Sequence, residues 1–132
     1  MTQYLLDTNT VSHLVRRHPV VALRVVAVPM ASLCISAITE GELVYGLAKR
    51  PDATRLHAVA QQFLLRVDVL PWDRAAARRY GALRALMERK GQTLAPLDMQ
   101  IAAHALSVGA VLVSNDRAFK QVAGLLLEDW SK

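Results

Sequence analysis

PLDMQIAAHALSVGAVLVSND, residues Pro96 to Asp116, reads as one helix, one stop, one strand and one acid. Proline fits a first helical turn, where its missing N–H has no partner to lose, and the residues after it predict a helix to Val108. Gly109 then stands at the C-terminal cap position, where a left-handed backbone closes a helix most easily. Ala110-Val111-Leu112-Val113 is a continuous apolar run, the pattern of a strand covered on both faces. It stops at Ser114-Asn115-Asp116.

The same grammar recurs on either side. Tyr4-Leu5-Leu6 ends abruptly at Asp7 and is followed by polar Thr8-Asn9-Thr10, a strand, an acid, and a turn opening a helix to about Arg17. His18-Pro19 ends that helix, and Val20–Ala27 predicts a second. Ser32-Leu33-Cys34-Ile35-Ser36 predicts a strand, and Thr39-Glu40-Gly41-Glu42 a helix start, with acids where the helix dipole favours them. Arg50-Pro51-Asp52 interrupts that helix and Ala53–Leu65 resumes it. Val67–Leu70 predicts a short strand and Asp73 caps a helix from Arg74 to about Lys90. Leu125-Leu126-Leu127 predicts a last, edge strand. Strands alternate with helices throughout, and no linker, repeat or low-complexity segment divides the chain. The expectation is one α/β domain over residues 1–132, a short, mostly parallel sheet flanked by helices.

Composition narrows the classes. The chain is 53% hydrophobic, but charges interrupt every run, so nothing approaches the ~20 apolar residues of a membrane span. The first residues lack the basic and long apolar stretches of a signal peptide, which makes the cytoplasm the default location and a membrane partner unexpected. Cys34, the single cysteine, allows no internal disulfide and reads as a core thiol. His13, His18, His57 and His104 show no ligand spacing. The net charge of +5 favours a polyanionic partner such as nucleic acid.

Ligands of parallel α/β sheets bind beyond the carboxyl ends of the strands, and four acids converge there. Asp7 and Asp116 follow strands directly, Glu42 lies one turn into the helix after the second strand, and Asp98 lies in the first turn of the helix feeding the Val111 strand. Taken singly, each has a plainer role: a turn residue at Asp7 or Asp116, a dipole-matched acid at Glu42 or Asp98. Together at one edge they repel, each pair by on the order of 4 kcal/mol at about 4 Å and an effective dielectric near 20. Such a cluster calls for a proton or a cation. Oxygen donors without His or Cys point to Mg²⁺ or Mn²⁺, water on that ion is a stronger nucleophile, and the matching substrate is a phosphodiester. Arg16, Arg17, Lys49, Arg50, Arg117 and Lys120 follow the acidic elements closely and are the candidate substrate contacts. Arg74, Arg78, Arg79, Arg84, Arg89 and Lys90 read as a solvated helix face. Thr8, Asn9, Ser114 and Asn115 are candidates to orient ligands, and equally good turn residues.

These blocks are similar to a known family. Leu5-Leu6-Asp7-Thr8-Asn9 and Ile35-Ser36 through Thr39-Glu40-Gly41-Glu42-Leu43-Val44-Tyr45-Gly46 resemble the opening blocks of PIN-domain proteins. Pro96-Leu97-Asp98, Ile101-Ala102-Ala103-His104-Ala105, Leu112-Val113-Ser114-Asn115-Asp116 and Phe119 resemble the closing blocks. Their order and the short length resemble the VapC branch, the toxins of VapBC toxin–antitoxin modules. The resemblance implies a PIN-like fold and a Mg²⁺- or Mn²⁺-dependent endoribonuclease that cuts RNA and blocks translation. It carries the catalytic and metal-binding roles onto Asp7, Glu42, Asp98 and Asp116, and its glutamate before Leu-x-x-Gly selects Glu42 over Glu40. Many relatives have another small polar residue at the position of Asp116, which makes this acid a secondary ligand. The resemblance also implies a homodimer and a cognate VapB-type antitoxin, with the helix surfaces around Val44-Tyr45 and Ala53–Leu65 as its seat. A PIN-type nuclease of RNA processing, or a non-enzymatic receiver-like domain with an acidic pocket, are the other classes. The latter needs adjacent acids after its first strand, where this chain has one. A dehydrogenase is unlike this sequence, since no G-x-G-x-x-G follows the first strand.

Overall fold

The computed structural model describes all residues, 1–132. Five strands lie at the centre: β1 (Tyr4–Leu6), β2 (Leu33–Ser36), β3 (Asp68–Leu70), β4 (Val111–Val113) and β5 (Leu127–Glu128). They are parallel throughout and ordered β3-β2-β1-β4-β5. The chain builds outward from β1 to β3, then crosses back to lay β4 on the other side of β1. The strand order therefore reverses between β1 and β4, the place where open α/β sheets leave a crevice.

Six helices cover the sheet: α1 (Thr8–Val15), α2 (Pro19–Val26), α3 (Ala37–Ala48), α4 (Thr54–Arg66), α5 (Arg74–Arg89) and α6 (Pro96–Val108). The alternation of side chains along each strand divides the core in two. Leu6, Leu33, Ile35 and Val113 pack with Val11, Val21, Leu43, Phe63 and Trp130 on one face. Leu5, Cys34 and Leu112 pack with Met87, Ile101, Ala102 and Phe119 on the other. Cys34 is a core thiol, pushed up to about 11 chiefly by burial. At Gly109 the backbone turns left-handed (φ 70°) and its N–H closes back on Ala105 and Leu106, the stop read from the sequence. Asp73 accepts from Ala76 N–H as the cap of α5, and the arginines of α5 are exposed.

Several boundaries shift by a residue or two, and two of the shifts have a clear physical cause. Helix α3 begins at Ala37, not Thr39, because Ser36 turns its hydroxyl onto Ile38 N–H (3.1 Å) and caps the helix as the strand ends. Glu40 is thereby a first-turn acid and Glu42 falls in the second turn. The edge strand pairs through Leu127–Glu128 rather than Leu125–Leu127, as the register is set by Leu112 and Val113 of β4.

Ser36 also joins two helices. His104 of α6 is buried, stacked edge-on against Trp72 (5.6 Å, 84°), with Nδ1 2.8 Å from Ser36 Oγ. Oγ accepts from Ile38 N–H and is hydrogen-bonded to Nδ1 as well, in a direction that follows the imidazole tautomer. Burial holds this imidazole below its usual value of 6.5, against a smaller upward pull from Asp73. The unfolded chain therefore binds the extra proton between pH 6.5 and the lower folded value. Stability is full above pH 6.5 and falls below it, by at most about 1.4 kcal/mol per pH unit. Denaturant titrations between pH 7.5 and 5.5 should show this decline, and its loss in His104→Gln; equal slopes in both proteins would contradict the account.

Candidate functional site

Asp7 ends the central strand and is 3% exposed. Its backbone N–H donates to Val113 O at 3.1 Å, extending the β1–β4 ladder by one rung. Its Oδ1 accepts from Thr10 N–H at 2.8 Å and caps α1, where the helix dipole favours a negative charge. Thr10 Oγ1 in turn donates to Val113 O at 3.0 Å. Burial raises the Asp7 carboxyl above its ordinary value, hydrogen bonds from Ser114 and Thr10 act against this, and the charge of Asp116 adds to it.

Asp98 lies in the first turn of α6. Its carboxyl is raised first by burial, then by the charges of Asp116, Asp7 and Glu42, with no hydrogen bond to offset them. The structure thus brings all four sequence-predicted acids into one electrostatic field. Glu42 is held from the other side: Thr8 Oγ1 donates to its Oε1 at 2.6 Å, and buried Thr39 stands 3.4 Å from the same hydroxyl. Asp116 accepts from Ala118 N–H at 2.9 Å, capping the turn Arg117–Gln121, and its own N–H donates to Ser114 Oγ at 3.0 Å. It keeps its turn role and joins the acidic group as well.

Thr8 and Ser114 therefore touch the acids directly, while Asn9 lines the cleft beside Glu42 and Asn115 the hollow beside Asp116. The six basic candidates divide. Arg16 and Lys49 flank Glu42, Arg117 and Lys120 stand with Asp116, and Arg17 and Arg50 line a neighbouring depression that contains none of the four acids. Sequence reasoning missed Thr10, Thr39 and the Ser36–His104 pair, whose partners lie up to 103 residues away. It also missed Arg55, beside Arg17 and Arg50, and Lys132, beside Asp116.

No three Asp, Glu, His or Cys side chains stand close enough together to form a ready-made metal site. The donor chemistry, oxygen-only carboxylates of which Asp98 has no hydrogen-bond partner, is of the kind that hard cations with retained waters prefer. No helix is long and apolar enough to cross a membrane.

Known proteins resemble this chain over nearly its whole length. A family model of the PIN domain matches residues 4–125. The tRNA(fMet)-specific endonuclease VapC of Shigella flexneri is 39% identical over 132 residues, covering 99% of this chain and 100% of that protein. Ribonuclease VapC2 of Haemophilus influenzae is 37% identical, over 98% of this chain and 99% of its own length. Among solved structures, a chain of DNA-bound VapBC from Salmonella typhimurium superposes with a TM-score of 0.91 at 39% identity, over 98% and 99% of the two chains. VapBC2 of Rickettsia felis, bound to a promoter DNA fragment, gives 0.89 at 30% identity over the same shares.

Mutual repulsion at this edge makes a stability prediction. Without divalent cations at pH 7.5, Asp98→Asn should raise the thermal midpoint by about 2–4 °C, the shift expected from relieving roughly 1 kcal/mol. A lowered midpoint in calorimetry would mean that the carboxylates do not strain one another.

Proposed function

The chain belongs to the PIN-domain family, and we propose that it is the toxin of a type II toxin–antitoxin module, a metal-dependent endoribonuclease that cuts RNA and so inhibits translation. The observation that carries this reading is the gathering of acids at the carboxyl edge, where the Asp98 carboxyl is raised by burial and then by the charges of Asp116, Asp7 and Glu42, with no hydrogen bond of its own. A site that concentrates negative charge and is meant for a polyanionic substrate needs a cation between the two. The VapC names of relatives that match nearly the whole chain support the ribonuclease class and the toxin role.

Asp7, Glu42, Asp98 and Asp116 would hold Mg²⁺ or Mn²⁺. Bound there, the ion supplies positive charge against the phosphodiester and makes water a stronger nucleophile for attack at phosphorus. The chain's own groups set the geometry. Asp7 is fixed by Thr10 and the β1–β4 ladder, so its outer oxygen has one direction to offer. Thr8 orients Glu42, and Ser114 fixes the backbone that presents Asp116. Asp98, free of hydrogen bonds, has both oxygens available. Arg16 and Lys49 on one flank, with Arg117 and Lys120 on the other, attract RNA and orient its phosphates, and Arg17, Arg50, Asn9 and Asn115 extend those surfaces.

Residues 1–132 act in this reading as one PIN domain in the cytoplasm, paired with a second copy and restrained by a VapB-type antitoxin. An apolar groove between α1, α2 and α4, lined by Leu14, Val25, Met30, Val59 and Phe63, supports a seat for the antitoxin's tail, as do Val44 and Tyr45, exposed on α3. The VapBC complexes of similar chains favour the same arrangement.

Purified protein should cleave structured RNA in Mg²⁺ or Mn²⁺ and stop in chelator. Asp7→Asn, Glu42→Gln and Asp98→Asn should each lower the rate by at least about 100-fold, the scale for removing a group that organises transition-state charge, and Asp116→Asn by less. Full activity in Asp98→Asn, or in chelator, would refute the four-acid mechanism. Expression of the gene alone should arrest growth, with normal growth restored by Asp7→Asn; unaffected growth with the wild-type gene would remove the toxin role.

A further inference from the structure

The largest depression on the molecule lies away from the four acids. Arg16 and Arg17 at the end of α1, Arg50 in the connection to α4, and Arg55 at the start of α4 converge on it, over a floor that includes Val15 and Leu56. Its one acid is Asp52. None of the four guanidinium groups is ion-paired, the only salt bridge in the protein being Arg84–Glu88 on α5. Four like charges gathered around a single acid repel in the free protein, and that repulsion is relieved by an anion. Guanidinium forks match phosphate in geometry as well as in charge.

The backbone supplies a second observation. Arg17 has φ 64°, the only non-glycine residue in the left-handed region. It ends α1 with His18 N–H closing on His13 O at 2.8 Å, a position that glycine occupies with less strain. An arginine kept there sacrifices some stability for its side chain, as residues at binding sites often do.

Val15, Arg16 and Leu56 line both this depression and the cleft holding Thr8 and Glu42. The arginine depression thus adjoins the cleft that holds Glu42. We infer that Arg17, Arg50 and Arg55 form a phosphate-anchoring subsite that holds the RNA strand beyond the scissile bond, with a ribose or base resting on Val15 and Leu56. The inference rests on the ribonuclease reading and adds to it a side: the strand leaves the acids past α1 and α4. On the opposite flank Arg117, Lys120 and Lys132 share their hollow with Asp116 and Asp129, so charge there is partly balanced.

The test measures binding of labelled bulk transfer RNA to the full chain in chelator, across a salt series. Arg17→Gly/Arg50→Ala/Arg55→Ala should weaken binding at least about 10-fold at 0.1 M salt. The slope of log affinity against log salt should become shallower by about 0.7 for each phosphate that the variant no longer neutralises. Arg17→Gly alone should weaken binding while leaving the thermal midpoint unchanged or raised, an outcome that a purely structural arginine does not give. Removing equal charge at Arg78, Arg79 and Arg89 is the control, and an equal loss there would reduce the effect to net charge and overturn the inference. Wild-type affinity and slope in the triple variant, from a protein that does cleave RNA, would overturn it while the ribonuclease reading stood. Retained RNA binding with loss of an acidic protein partner would reassign the depression to that partner. A wild-type chain that neither binds nor cuts RNA would take down both.

Discussion

A carboxylate is buried where a parallel sheet can least spare it, at the tip of its central strand. Asp7 is 3% exposed, and an ion so placed loses hydration that only hydrogen bonds, dipoles or a counter-ion restore. The fold provides the first two. Thr10 N–H donates to it from the opening turn of α1, whose dipole points the same way. Ser114 reaches it from the end of β4. The third is what the proposed metal would supply. Because the Asp7 backbone is also a rung of the β1–β4 ladder, the acid has no freedom to turn away from its neighbours. Every other group at the edge is arranged around a charge that cannot move.

Hydroxyl groups do most of that arranging. Thr8 reaches across to Glu42, Thr39 backs Thr8, and Ser114 serves both the Asp7 carboxylate and the Asp116 backbone. Ser36 caps the helix that bears Glu42 while bonding to His104 on the helix that bears Asp98. A hydroxyl can give and take at once, so it bridges elements without adding charge to a site already crowded with it. The acids gather negative charge at one edge, and the hydroxyls orient them without adding to it.

The sequence disclosed what local chemistry determines. Leu5-Leu6 running into Asp7 and Val111–Val113 running into Ser114-Asn115-Asp116 marked two adjacent strands and two acids, because continuous apolar runs signal buried strands and the sheet's topology does the rest. Gly109, Asp73 and Pro96 declared helix ends through their own backbone preferences. What escaped was determined by partners far along the chain. Ser36 as a helix cap is invisible beside Thr39-Glu40 until the strand's end is fixed in space, and the start of β5 depends on the register of β4. Nothing local links His104 to Ser36 or Thr10 to Val113. Sequence proximity also grouped Arg17 and Arg50 with the acids, whereas the packing of α1 against α4 turns them into a separate depression and adds Arg55.

The ladder between β1 and β4 has a consequence for how such a protein is made. Asp7 emerges from the ribosome early, but the strand that holds it in place, and the carboxylates of Asp98 and Asp116, come from the last third of the chain. Pairings across so long a loop form late in folding. A nascent chain therefore has no assembled acidic edge through most of its synthesis, so the nuclease site proposed above would take shape only as the chain leaves the RNA-rich machine that builds it.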